Sequence, residues 1–163
     1  MSQEPFDFFQ DHSLKFLEMA FKSDRMEPLE GPDGVGRHTG DCGDTVWMFL
    51  KLRGTAIERV AFQVHGCMNT VASANAVGEL IEGQSIDAAW ELTPEKVIEF
   101  LETLPKGHHH CAELAVGALY RALADAAANE KTAADALART WLKSAIEAYS
   151  PVMTRVFISM ACR

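Results

Sequence analysis

The chain has 163 residues, 48% hydrophobic and 23% charged, one domain's worth of sequence with enough apolar residues for a core of its own. Its 23 acidic against 15 basic residues leave a formal charge of -8, the wrong sign for a general binder of nucleic acid or of anionic membranes, since phosphate contacts need clustered lysine and arginine. No stretch approaches the roughly 18 consecutive apolar residues of a membrane span, and Met1 to Pro5 has neither the basic start nor the apolar run of a signal peptide, so a cytoplasmic protein is expected.

From Phe6 to Phe21, the residues Leu14, Leu17 and Phe21, widened by Phe16 and Ala20, recur at helical steps and predict an amphipathic helix with that face buried. Between Arg25 and Gly43, Pro28, Pro32 and five glycines concentrate turn formers and predict a loop with room for a short strand. Residues 44–53 and 56–65 carry β-favouring residues, Val60, Phe62 and Val64 alternating, and the connection Arg53-Gly54-Thr55 suits a hairpin. Past Gly66-Cys67 the period turns helical, with Val71, Ala74, Val77, Gly78 and Ile81 on one face up to Gly83.

Ser85 then reads as the N-cap of a short helix through Trp90. Thr93-Pro94-Glu95 starts another that runs to about Leu104 and is broken by Pro105-Lys106-Gly107. From Cys111, the residues Leu114, Ala115, Ala118, Leu119 and Ala122 trace a further helix. Asn129 to Thr132 reads as a turn, Thr132 to Tyr149 as another helix carrying Leu137, Trp141, Leu142 and Ile146, and Pro151 opens a final apolar segment. The aromatic residues Phe8, Phe9, Phe16, Phe21, Trp47, Phe49, Trp90 and Trp141 read mostly as core. The expected fold is α+β, a small antiparallel sheet of about three strands packed against several helices. Residues 1–126 form its domain, and residues 127–163 are a helical extension packed on it.

Four cysteines are too few for a secreted disulfide scaffold, and in a reducing compartment spaced cysteines bind metal or do chemistry. Three stand at junctions between elements: Cys42 in Asp41-Cys42-Gly43-Asp44, Cys67 in His65-Gly66-Cys67, and Cys111 after His109-His110. Together with Asp44 and His110 they offer three thiolates, a carboxylate and an imidazole, a donor set for zinc or an iron-sulfur cluster and not for a hard, all-oxygen ion. Neighbours on a helix point about 100° apart, so His110 and Cys111 both reach one centre only where the helix begins, or else alternate as ligands. Asp44 is the hard donor of a soft set, which suits a centre held weakly or released. His108 and His109 read as solvated neighbours, with spare ligand or proton relay as their other reading. His65 reads as a strand end and Cys162 as an incidental thiol.

In order and approximate spacing these motifs resemble the NifU N-terminal (IscU-type) iron-sulfur cluster assembly scaffold family. The residues that carry the resemblance are Asp41-Cys42-Gly43-Asp44, His65-Gly66-Cys67 leading into Val71-Ala72-Ser73-Ala74, Gly83-Gln84-Ser85, and His110-Cys111 before Ala112 to Ala115. It covers about Phe6 to Ala126. The resemblance implies a carrier and not an enzyme. On it a transient 2Fe-2S cluster is built from iron and from sulfur delivered by a cysteine desulfurase, then passed to apo iron-sulfur acceptor proteins, by a monomer or homodimer. Cys42, Asp44, Cys67, His110 and Cys111 match the family's ligands, and zinc can occupy the same residues.

Two segments depart from the family pattern. Leu104-Pro105-Lys106-Gly107-His108 stands where members that dock a DnaK-type chaperone carry Leu-Pro-Pro-Val-Lys, so that docking is not expected. Met26 to Gly36 replaces the usual Asn-Pro-Arg-Asn segment. The alternative within the fold is a zinc-bound, sulfurtransferase-like or regulatory partner of a cysteine desulfurase. A third reading, a thiol enzyme pairing Cys111 with His110, is weak because adjacent residues rarely form a nucleophile and base of good geometry.

Overall fold

The computed structural model describes residues 11–160, with side chains for residues 11–144; Phe8, Phe9, Ile146 and Cys162 lie outside the described side chains. In chain order the elements are α1 (Leu14–Phe21), β1 (Gly34–Thr39), β2 (Thr45–Arg53), β3 (Ala56–His65), α2 (Met68–Ile81), α3 (Ile86–Trp90), α4 (Pro94–Leu101), a 3-10 turn (Lys106–His108) and α5 (His109–Met160). The chain divides into two compact units, residues 1–127 and 128–163. Among the described residues no helix is long and apolar enough to cross a membrane.

In the first unit the three strands form one antiparallel sheet in the order β1-β2-β3, with Gly54-Thr55 closing the β2-β3 hairpin between the paired residues Arg53 and Ala56. Val46, Met48 and Leu50 on β2 and Val60 and Phe62 on β3 are buried, the two-residue period of a sheet with one face in the core. Full burial of each large side chain there stabilises the fold by about 1.5–3 kcal/mol. Against them pack the small residues of α2, Ala72, Ala74, Ala76 and Val77. Asn75, buried in the same helix, donates from Nδ2 to the carbonyls of Met19 and Lys22, each at 2.8 Å. Those carbonyls belong to the end of α1, which has no further turn to satisfy them.

The short strand for which Arg25 to Gly43 has room is β1, and the glycines at 34 and 36 belong to it. A Cβ on Gly36 would fall 2.0 Å from the Ala118 carbonyl oxygen and one on Gly34 2.2 Å from that of Ala122, so β1 lies directly on the backbone of α5 and only glycine fits. The same helix covers the strand's edge, with Asp125 Oδ2 accepting from Val35 N-H at 2.9 Å and Arg121 donating to the Arg37 carbonyl at 2.8 Å.

Several expectations shift. α1 begins at Leu14, capped by the Ser13 hydroxyl on Phe16 N-H, and it buries Phe16, Met19 and Ala20, while Leu14 and Phe21 are exposed. α4 ends at Leu101, where Glu102 turns to φ 63°, short of Leu104. Trp90 is exposed and stacks on Tyr120, ring centroids 5.4 Å apart, Trp47 is half-buried, and Trp141 is exposed, so the tryptophans are not core. No turn interrupts Asn129 to Thr132, and the helix also continues through Pro151. The second unit, residues 128–163, is helical through Met160, with exposed side chains from 128 to 144 that include Leu137, Trp141 and Leu142.

Candidate functional site

Two helix starts face each other. Cys67 ends the run out of β3 in extended conformation (φ -84°, ψ 170°) as the N-cap of α2, and Cys111 lies in the first turn of α5. Their sulfurs are 3.9 Å apart. Thr70, three residues past Cys67 and so on the same face of α2, is fully buried between them, its Oγ1 3.5 Å from Cys67 Sγ and 3.3 Å from Cys111 Sγ.

Asp44 joins from the turn before β2, where its backbone carbonyl accepts from Gly40 N-H. Its Oδ2 accepts from the Thr70 hydroxyl at 2.7 Å and from Cys67 N-H at 3.1 Å. A Cβ on Gly66 would lie 2.5 Å from that oxygen, so glycine before Cys67 is what allows the carboxylate to lie against the backbone.

His110 and Cys42 stand to one side. His110 Nε2 is 3.6 Å from Cys111 Sγ, and with His38, Asp41, Cys42 and Glu113 it lines a cavity of about 360 Å³. Cys42 is exposed on the turn. His108 belongs elsewhere than among solvated neighbours. It is half-buried, and one of its ring nitrogens and the sulfurs of Cys67 and Cys111 all lie within 4.8 Å of one another. Of the five ligands expected from sequence, Asp44, Cys67 and Cys111 gather around Thr70, His110 adjoins Cys111, and Cys42 lies with His110 on the cavity wall. Thr70 and His108 are the additions, and each sits three residues from a cysteine at a helix start.

A family model described as the NifU-like N terminal domain matches residues 24–133, which hold every one of these side chains. The chain belongs to that family. It is 37% identical over 98 residues to the iron-sulfur cluster assembly scaffold protein IscU 1 of Archaeoglobus fulgidus, an alignment covering 60% of this chain and 64% of the relative's length. To the iron-sulfur cluster assembly protein IscU of Plasmodium falciparum it is 32% identical over 117 residues, 72% of this chain and 70% of that one. In fold it is similar to a solved putative scaffold protein for the SUF system from Fervidobacterium islandicum, with a TM-score of 0.60 at 21% identity over 72% of this chain and 99% of that one.

In this NifU-like domain the three central groups are shifted in different directions. Burial pushes the Cys67 thiol up, but hydrogen bonds from the Thr70 hydroxyl and from the N-H groups of Thr70 and Asn69 outweigh it and hold the thiol below its ordinary value. Burial also pushes Cys111 up, and here it wins: opposed by Thr70 and reinforced by Cys67 and Asp44, it carries the thiol to about 12. Asp44 is held below the usual carboxylate range, first by Thr70, against burial, with help from Cys67 N-H and from His110. A bound cation favours the thiolate of Cys111, which must then release its proton. The positive ends of two helix dipoles favour the negative charge that results.

Proposed function

We propose that the protein is a scaffold for iron-sulfur cluster assembly, taking iron and sulfane sulfur at Cys42, Asp44, Cys67, His110 and Cys111, holding a transient 2Fe-2S cluster as cargo and passing it to apo-proteins. The observation that carries this reading is the pairing of Cys67 and Cys111 at 3.9 Å, tied through Thr70 to a carboxylate, beside an open cavity bearing the exposed thiol of Cys42. Soft donors in that number suit iron with sulfide, and one hard oxygen donor among them makes the assembly releasable. The names of the relatives point the same way.

Cys42 is the accessible acceptor. Its thiolate attacks the outer sulfur of a persulfide on a cysteine desulfurase, the S-S bond of the donor breaks, and the desulfurase cysteine leaves as thiolate while the sulfur stays on Cys42 as a new persulfide. Reduction to sulfide then takes two electrons from an external thiol or electron-transfer protein. The protein is a carrier in this scheme: it positions and releases, and the desulfurase does the catalysis.

Incubation with a desulfurase and cysteine, followed by peptide mass analysis without reductant, tests this directly. The expected result is one added sulfur atom on Cys42, absent in Cys42→Ser. An active desulfurase that leaves no sulfur on any of the three cysteines would overturn the reading.

A further inference from the structure

In the second unit the helix runs from residue 128 to Met160, and every side chain described there, from Ala128 to Ser144, is exposed. Thr132, Arg139 and Thr140 bond back to carbonyls four residues earlier in the same helix. Helices in proteins draw most of their stability from packing an amphipathic face on something else. This helix has such a face. Ala134, Leu137, Ala138, Trp141 and Leu142 recur at three- and four-residue steps, and in sequence the steps run on through Ala145, Ala148, Tyr149 and Val152. Arg139, Lys143 and Glu147, four residues apart, keep to the other side, and no charged residue interrupts the stripe between Ala134 and Val152.

The make-up of the stripe selects its occupant. Leucine and tryptophan alternate with alanine, so one surface carries both knobs and the gaps that receive them, as a two-fold interface between identical patches requires. Being uncharged, the stripe sets no like charges against each other when it meets itself. The chain's charge of -8 counts against an anionic lipid surface. Leu137, Trp141 and Leu142 are 63%, 76% and 63% exposed, and these three leave on the order of 400 Å² uncovered in each copy. With the rest of the stripe added, two copies reach the total of about 1,000 Å² that a specific interface needs.

We propose that the helix of the second unit pairs with the same helix of a second copy of this chain, along the stripe from Ala134 to Val152, and that this homodimer forms without metal or cluster. The pairing is independent of the scaffold reading, because none of its residues belongs to the site around Thr70.

The test is sedimentation equilibrium of the full chain with chelator and excess reductant, which excludes dimers bridged by a cluster or a disulfide. Wild type should sediment at twice the chain mass. Trp141→Glu should raise the dissociation constant at least about tenfold, the scale of a buried aromatic at the centre of an interface. Lys143→Glu, on the other side of the helix, should leave the dimer intact. Since a charge at 141 also weakens the helix itself, a second measurement keeps that residue: with Trp47→Phe and Trp90→Phe, Trp141 is the single tryptophan, and its emission should move to shorter wavelength as protein concentration rises. A wild-type chain that is monomeric at about 100 μM would overturn the proposal, as would a dimer indifferent to Trp141→Glu or a Trp141 emission that stays water-exposed at every concentration. So would a monomer that co-sediments with vesicles of mixed phosphatidylcholine and phosphatidylglycerol, which would assign the stripe to lipid.

Discussion

The Thr70 hydroxyl lies 2.7 Å from Asp44 Oδ2 and, through the same oxygen, 3.3 Å from Cys111 Sγ. A hydroxyl has one proton, so the carboxylate and the thiolates compete for it, and each is favoured in its charged form when it receives it. Thr70→Val keeps the shape and removes that proton. It should cost about 1.5–3 kcal/mol of stability, the worth of a hydrogen bond to a charged group, and raise both Asp44 and Cys67 toward their ordinary values. Urea denaturation reads the first effect and the pH profile of thiol alkylation the second; no change in either would show that Thr70 only fills space.

Cys67 is held below the ordinary thiol value and Cys111 is pushed up to about 12. In the metal-free protein, iodoacetamide near neutral pH should therefore modify Cys67 and spare Cys111 until strongly alkaline pH, read peptide by peptide by mass. Because the Cys111 value is raised on folding, its protonated form stabilises the fold below the unfolded thiol value of about 8.5, and that contribution is lost as pH rises toward the folded value. Labelling of Cys111 before Cys67 at neutral pH would contradict this.

Asp44 is lowered on folding, so its contribution is present above the unfolded carboxylate value of about 3.9 and is lost as pH falls from there through the folded value. Wild type should be more stable than Asp44→Asn at neutral pH, and the difference should shrink through that acid window. A difference independent of pH between neutral and strongly acidic conditions would show that the carboxylate charge plays no part.

Asp44→Ala should also lengthen cluster lifetime, because the hard donor that gives water or a competing acceptor its entry is gone. Absorbance decay under a chelator measures it, and faster loss of cluster in the variant would contradict the role given to Asp44.

Gly36→Ala should destabilise the first unit by about 1–3 kcal/mol, since a methyl there meets backbone atoms that cannot move aside. Its Cβ would lie 2.0 Å from the Ala118 oxygen and 2.3 Å from Ala122 N, whereas Gly107→Ala meets nothing within 4 Å and serves as the control. Equal midpoints of thermal unfolding for the two variants would mean that β1 does not rest on α5.

The sheet and most helix starts were legible because their signals are local: alternation at Val60, Phe62 and Val64, the Ser85 cap, Pro94 in the first turn. The buried face of α1 was legible only in part, through Phe16 and Ala20. Leu14, Leu17 and Phe21 keep helical spacing as well as Phe16, Met19 and Ala20 do, and the choice between them is made by packing on α2, where Asn75 holds the end of α1. Asn129 to Thr132 contains neither glycine nor proline, so nothing in it stops a helix already running. In the site, the cysteines, Asp44 and His110 announce themselves by residue type. Thr70 and His108 do not, because a threonine on an apolar helix and a histidine in a loop acquire meaning only once each is counted three residues from a cysteine at a helix start.

The most direct measurement is anaerobic reconstitution of wild type and Cys42→Ala with ferrous iron and a sulfide source, followed by absorption spectra and analysis of iron, sulfide and zinc. A visible charge-transfer spectrum with iron and sulfide bound in equal amounts, lost in Cys42→Ala, is the predicted result; a colourless wild-type protein that holds zinc and no sulfide would contradict it.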